Sequence, residues 1–358
     1  MKVDYLIVGQ GIAGTALSHT LLQQGKKVLV TDTPYAGSSS RVAGGVCNPI
    51  TGRKLVKTWK ADELFPFLKA FYQGLEKTLN TQFFYPRQIY RTFKSVEQRD
   101  QLLEKSAQNE WEHFFDTKVN DHLYEPFLDA PMGGWQTKQG GWLDTSKLLD
   151  AYCQYLQTLG SYRKVELVYD DIQITPGKVV WKDVEATHLI FCQGMQGKHN
   201  PYFAQMPFRL VKGELLHIKI DQQPPLENII SQGVFMLPLS DAPGEYLVGA
   251  TYEWRDLSTV PTEKAKAQLQ EKLNKWLKLP YEILGQKAGV RPATLDRRPL
   301  VGVHPDYPAI GFFNGLGTKG VSLAPYFARH LVEHIEQGAP LNEEVDLMRY
   351  WEHPIDKS

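Results

Sequence analysis

At 358 residues the chain is long enough for two domains with well-buried cores, and its forty basic residues cancel its forty acidic ones. That balance leaves no global field to draw nucleic acid or an anionic membrane, so neither is expected as a partner. No apolar run approaches membrane-spanning length, and Met1-Lys2 leads straight into an apolar stretch soon broken by Gly and Gln, which argues against a cleaved signal sequence.

Residues 3 to 32 read as one complete dinucleotide-binding βαβ unit. The apolar run 5–8 predicts a strand, Gly9, Gly11 and Gly14 follow it, and Ile12, Ala13, Ala16, Leu17 and Leu21 recur at helical spacing until Gly25. In such a unit the glycines serve a tight turn, the approach of backbone amides to a pyrophosphate, and the close packing of helix on strand. The helix N-terminus then faces the anion. A second strand, 27–31, ends in Asp32. Its carboxylate, about 20 residues past the glycines, is placed to accept hydrogen bonds from an adenosine ribose. That favours an unphosphorylated ribose, hence FAD or NAD over NADP.

The next segment, Gly37-Ser-Ser-Ser-Arg-Val-Ala-Gly-Gly-Val-Cys-Asn-Pro49, is too glycine-rich at its centre for a packed helix and reads as a ligand-facing loop. Helical periodicity covers 61–80 and 95–112, and between them 82–93 reads as strand with a break at Pro86. Turn-rich sequence surrounds Met132-Gly-Gly-Trp135 and Gly140-Gly-Trp-Leu143, after which 145–159 predicts a helix ended by Gly160. Short strands are then expected at 165–168, 178–181 and 188–192, and an antiparallel series at 215–220, 234–238 and 246–250. A polar helix at 262–277, a strand at 309–313, a glycine-rich loop and a helix at 321–336 complete the pattern. The switch of pattern midway implies a second domain. Three widely spaced cysteines, Cys47, Cys153 and Cys192, exclude a disulfide framework and fit a reducing compartment, so the cytoplasm is expected.

Beyond the opening unit stand Ser40-Arg-Val-Ala-Gly-Gly45, Gly140-Gly-Trp142, Val211-Lys-Gly-Glu214, Leu247-Val-Gly-Ala-Thr-Tyr252, Gly289-Val-Arg-Pro-Ala-Thr294 with Asp296 and Pro299, and Gly315-Leu-Gly-Thr-Lys-Gly320. In these segments, and in their order, the chain resembles the FAD-dependent amine and amino-acid oxidoreductases of the D-amino-acid oxidase-like superfamily, above all the glycine oxidase and sarcosine oxidase-type members. Residues 50–135 match least, and in such enzymes that region contributes to the substrate roof. The resemblance implies an α/β fold. A Rossmann-like FAD-binding domain with a central parallel sheet, assembled from 1–80, 140–204 and 286–358, would interleave with an α+β substrate domain on an antiparallel sheet, from 81–139 and 205–285.

The implied cofactor is FAD, contacted through Gly9, Gly11, Ile12, Ala13, Gly14 and Asp32, through Ser39, Ser40, Arg41, Gly44, Gly45 and Val46, and through Val168, Gly194, Arg291, Gly315, Gly317, Thr318, Lys319 and Gly320. The loop before the 321–336 helix leaves amides and a positive dipole end free to face the flavin where its reduced form carries negative charge. Cys47 reads as a small buried residue, so the FAD is expected to be non-covalent. Arg291, Lys319 and Tyr252 are the expected catalytic group. Arg291 matches the arginine with which glycine oxidase and its relatives clamp the substrate carboxylate, for which guanidinium supplies a planar two-point fork. Lys319 stands where sarcosine oxidase-type members place a lysine that helps hold that carboxylate. Tyr252 is expected to project over the flavin, with Phe235, Met236 and Trp254 completing a wall. Arg297 and Arg298 read mainly as turn residues, solvated or paired locally, and His330 and His334 as a solvated helix face.

No nucleophile-base triad, metal cage or P-loop emerges. A neutral amine can deliver hydride from its α-carbon to flavin N5 by alignment alone. The expected activity is oxidation of a small carboxylate-bearing amine, an N-substituted glycine or a D-amino acid, with oxygen or another acceptor taking the electrons. The alternatives are oxidation of a 2-hydroxy acid, oxidation of a carboxymethylaminomethyl group on a tRNA wobble base, and a non-catalytic flavoprotein.

Overall fold

The computed structural model describes residues 1–35, 37–52, 55–221 and 227–351. The opening unit forms as its pattern dictates. Lys2–Val8 runs parallel to Val28–Thr31, with Tyr5 opposite Val28, and Ile12–Gln23 is the connecting helix. The central sheet runs Tyr162–Arg163, Val28–Thr31, Lys2–Val8, Val184–Phe191, Lys178–Trp181, Ile172–Thr175, with Ile310–Asn314 parallel to the far half of Val184–Phe191. Both faces of its parallel strands are covered. Tyr5, Ile7, Val28 and Val30 pack on the helices Ile12–Gln23, Ala61–Leu79, Thr145–Thr158 and Gly320–Gln337, while Val3, Leu6, Val8 and Leu29 pack with Val179, Trp181 and Phe203. Burial on both sides is why these strands read as unbroken apolar runs.

Within the helical layer His19 is 6% exposed, lying edge-on to Phe71 and Tyr152. Burial lowers its pKa from 6.5 to about 4. Above pH 6.5 the ring is neutral folded and unfolded; as pH falls toward 4 the unfolded chain takes up a proton that the folded chain refuses. Stability should therefore fall by about 2 kcal/mol between pH 7.5 and pH 5, and level off below pH 4. Urea midpoints at the two pH values check this, with His19→Phe removing most of the difference.

The second sheet runs Glu282–Arg291, Val211–Lys219, Glu245–Gly249, Val234–Pro238, Ile229–Gln232, Ile89–Thr92, Gly134–Thr137, Phe115–Asp116. One face carries Leu216, Ile218, Ile230, Met236 and Val248 against Leu269, Leu273 and Trp276, from the helix Glu263–Leu273 and the turn after it. The opposite face carries Ile89, Ile229 and Leu237, which meet Trp142 and Val46 beside the glycine-rich loop. Paired residues share a face, so Val211 with Arg291, Gly213 with Gly289, and Phe235 with Gly249 all look toward that loop.

Several expected elements differ. The 95–112 helix breaks into Val96–Ser106, capped by Ser95, and Asn109–Glu112. The two halves of 82–93 enter different sheets. Phe84–Pro86 pairs with Gly141–Leu143, and Ile89–Thr92 joins the second sheet. No strand forms at 165–168. The sheet edge is taken instead by Tyr162–Arg163, because Val30 and Asp32 donate their amides to Ser161 and Arg163. Glu282–Arg291 lies wholly in the second sheet, across the expected edge at 286.

Candidate active site

Gly11 caps the first helix, whose first internal bond is Thr15 N–H to the Gly11 carbonyl, 2.9 Å. The amides of Ile12, Ala13 and Gly14 therefore lack helical partners. Ile12 N–H donates to Ser40 Oγ, 3.1 Å, so the serine loop comes back onto the helix start. Gly14 has no room for a side chain: a Cβ there would lie 1.9 Å from the Gly9 carbonyl oxygen. Asp32 sits at the tip of the second strand. Burial raises its pKa, against backbone hydrogen bonds from Gln10 and Thr33 and the charge of Arg41, all of which favour its carboxylate.

The other expected contacts divide. Ser39 opens the short helix Ser39–Val42, and Arg41 pairs with the exposed Asp150 at 2.7 Å while its charge also acts on Asp32. Gly44 lies under the Phe235 ring, the Gly45 carbonyl accepts from Leu143 N–H at 2.9 Å, and Val46 sits opposite Trp142. Val168 is exposed at the start of the Tyr169–Asp171 turn. The Gly194 carbonyl accepts from Asn314 Nδ2, 2.9 Å, tying its loop to the end of Ile310–Asn314. Gly315 follows, with its amide on Asn314 Oδ1, and Gly317 N–H donates to the Pro292 carbonyl. Thr318 and Lys319 lead into Gly320–Gln337, where Leu323 N–H to Lys319 O is the first full-turn bond. The amides of Gly320 and Val321 thus lack helical partners.

Cys47 is fully buried, and desolvation pushes its thiol up to about 12. A thiol held protonated is a poor nucleophile, which favours a non-covalent flavin.

Arg291 ends the Glu282–Arg291 strand on the loop-facing side. Its guanidinium crosses Gly213, where a Cβ would lie 1.9 Å from Nη2. Nη1 donates to the Thr251 carbonyl at 3.1 Å, and the group lies 4.8 Å from the Tyr252 ring centroid. Burial lowers its pKa, and no carboxylate among the described residues opposes that. Lys319 behaves alike: burial first, then Arg298 and Arg297, lowers its pKa, and its Nζ donates only to Thr58 Oγ1 at 3.3 Å among the described residues. Lys212 shows the contrasting case, a fully buried ammonium neutralised by Asp256 at 2.6 Å and Glu214 at 3.6 Å. Each of Arg291 and Lys319 is thus a desolvated cation with no acid paired to it among the described residues, an arrangement suited to an anionic ligand.

Tyr252 and Trp254 are on this wall, 53% and 52% exposed, and Phe235 is beside it. Met236 is not. At 1% exposed it points to the opposite side of its strand, into the core under Glu263–Leu273, because successive strand residues alternate in direction. Arg298 pairs with Glu344 at 3.1 Å and lies over Trp59, and Arg297 is exposed at a positive φ of 60°, as the turn reading expects. His330 stacks on Tyr326, and His334 Nδ1 lies 2.8 Å from the Ala339 carbonyl. No cluster of three metal-ligating side chains occurs among the described residues.

Sequence reasoning gave no role to Gly213, Thr58 or Thr251, which set the position of the two cations. The Val211-Lys-Gly-Glu214 segment held the signal for Gly213, but only the pairing with Gly289 shows what its missing side chain leaves room for. Arg91 was also passed over. It lies over Trp135, donates to the Gly52 carbonyl at 3.1 Å, and is pushed down to about 10 by burial.

Known proteins share this fold. A glycine oxidase from Bacillus cereus superposes with a TM-score of 0.77 at 18% identity, covering 94% of this chain and 96% of the other. An iminodiacetate oxidase from Chelativorans gives 0.78 at 18% identity, covering 97% and 98%. In sequence, the tRNA 5-methylaminomethyl-2-thiouridine biosynthesis bifunctional protein MnmC of Shewanella amazonensis is 24% identical over 94% of this chain and 57% of its own length. The chain spans little more than half the length of the curated relatives it matches. The free amides at the Gly11 turn, the Asp32 carboxylate at the strand tip and the open start of Gly320–Gln337 fit the pyrophosphate, ribose and ring of FAD. The family model for FAD-dependent oxidoreductases matches residues 4–334, and the chain belongs to that family, with FAD as its cofactor.

Proposed function

We propose that this chain oxidises a small amine bearing a carboxylate, of the N-substituted glycine or D-amino-acid type. The observation that carries the reading is Arg291: a desolvated guanidinium with a backbone carbonyl as its hydrogen-bond partner and no acid beside it among the described residues. A carboxylate would supply the missing charge through a two-point hydrogen bond. Lys319, with Arg297 and Arg298 adding to the positive field around it, also favours an anion. FAD supplies the two-electron acceptor for the hydride of the α-C–H bond. The chain's residues hold the acid end and so fix the direction in which that bond points. As that C–H bond breaks, the nitrogen lone pair forms the C=N bond and the N–H proton passes to solvent; water then hydrolyses the imine to a carbonyl compound and the released amine.

The expected result of anaerobic mixing is bleaching of the yellow protein by N-methyl amino acids, glycine, iminodiacetate or D-amino acids. Bleaching by 2-hydroxy acids alone would reject the amine assignment in favour of alcohol oxidation. No bleaching by any of them, with FAD bound, would reject both. A second reading has its own support in the MnmC relative, whose name places it in biosynthesis of a modified tRNA base. On that reading the amine is a carboxymethylaminomethyl group on a wobble uridine, which keeps the same acid and secondary amine. Bleaching by RNA carrying that base, and by no free amino acid, would select it.

A further inference from the structure

Two large aromatic rings stand half in solvent beside Arg291. Tyr252 and Trp254 are stacked, with centroids 6.3 Å apart and planes 28° from parallel, and the Arg291 guanidinium lies 4.8 Å from the Tyr252 centroid. They are held firmly. Lys212 exchanges two backbone hydrogen bonds with Glu253, at 2.8 and 3.0 Å, and the Glu253 carboxylate accepts from the amides of Trp254 and Arg255. The fully buried Lys212 ammonium ties down Asp256, Ser258 and the Val260 carbonyl, and Glu214 receives both the amide and hydroxyl of Thr262. The segment 251–262 is thus bolted at both ends to the Val211–Lys219 strand. An aromatic pair exposed on so constrained a loop is a preformed surface whose ordering cost is already met by the fold.

We propose that Tyr252 and Trp254 form a stacking shelf for a planar ring on the substrate, carried one or two bonds beyond the amine nitrogen. The inference rests on the reading of Arg291 as the carboxylate clamp. With the acid on Arg291, the nitrogen substituent is the part of a glycine-type amine that extends along Tyr252 toward Trp254. The solvent-exposed part of such a stacked pair selects flat groups over round ones of equal apolar area, because only a flat group meets an open π-face over its whole area. The substrate class is therefore an N-arylmethyl-type glycine. The ring belongs either to a small molecule or to a base.

The test uses the FAD-loaded protein and redox-inert acids in which sulfur replaces the amine: (methylthio)acetate, (benzylthio)acetate and (cyclohexylmethylthio)acetate, with dissociation constants from calorimetry. Wild type should bind the benzyl compound about tenfold more tightly than the cyclohexylmethyl one, and Trp254→Leu should abolish that ratio. A merely structural role for Trp254 would shift all three constants together and leave the ratio intact. Equal binding of flat and round rings by wild type overturns the shelf while leaving the clamp standing, provided (methylthio)acetate binding still depends on Arg291. Binding that ignores Arg291 overturns the clamp and the shelf together. 5-Carboxymethylaminomethyluridine, free and within an RNA hairpin, distinguishes the sources of the ring. Tighter binding of the hairpin assigns it to RNA and equal binding to a small molecule, and in each case indifference to Trp254→Leu counts against the proposal.

Discussion

Replacing Arg291 with methionine is expected to raise KM for carboxylate-bearing amines by about 100-fold or more while leaving the FAD content unchanged. Truncating one partner of a desolvated, hydrogen-bonded charge pair costs about 2–5 kcal/mol, and each 1.4 kcal/mol is a factor of ten. Methionine keeps most of the apolar stem, so packing over Gly213 changes little. Steady-state kinetics on whichever amine bleaches the flavin gives the KM, and the visible absorption per protein gives the FAD content. The same variant should melt at a higher temperature than wild type in the absence of substrate. The guanidinium pays for desolvation with one backbone bond and no counter-charge among the described residues, and methionine removes that burden. A structural arginine would show the reverse pair of results, lower stability and an unmoved KM. Arg291→Lys should recover only part of the binding, since an ammonium lacks the planar fork.

The parts of this molecule that were legible in the sequence are those whose meaning is local. The strand-turn-helix of 3–32 declares itself because its apolar spacing, its glycines and Asp32 all act within thirty residues of chain. The glycine-rich loop at 315–320 did so because a helix follows it at once. What was hidden depends on pairing between distant segments. Periodicity identified 234–238 as a strand but not which side faces the site, so Met236 was placed in the wall although its pairing with Val248 turns it to the core. The break in 95–112 falls at Ala107 and Gln108, residues with good helix propensity that give no local stop signal. Val165 and Val168 have the right residue type for an edge strand, yet Ser161 and Arg163 accept the amides of the neighbouring strand and leave no room for them in that register. Gly213 and Thr58 matter only through Arg291 and Lys319, which come from 78 and 261 residues further along the sequence.

Gly14→Ala is expected to abolish FAD binding. The added Cβ would sit 1.9 Å from the Gly9 carbonyl oxygen and 3.5 Å from the Cys192 side chain, so the first contact is rigid backbone with no side chain to swing aside. Either the helix Ile12–Gln23 moves off the strand or the turn at Gly9 opens, and each displaces the amides that the pyrophosphate needs. Overpacking of this kind costs about 1–3 kcal/mol in the core, before counting the lost stabilisation from bound cofactor. The purified variant should therefore show less than a tenth of the wild-type absorbance of flavin per protein and a lower melting temperature that added FAD fails to restore. Gly74→Ala is the control. Gly74 lies inside the helix Ala61–Leu79 with nothing within 4 Å of a built Cβ, so alanine there should stabilise the fold by about 0.5–1 kcal/mol and leave the yellow colour untouched. A Gly14→Ala protein that retains full flavin would mean that the first helix does not carry the pyrophosphate, and the assignment of the cradle to the opening turn would fall with it.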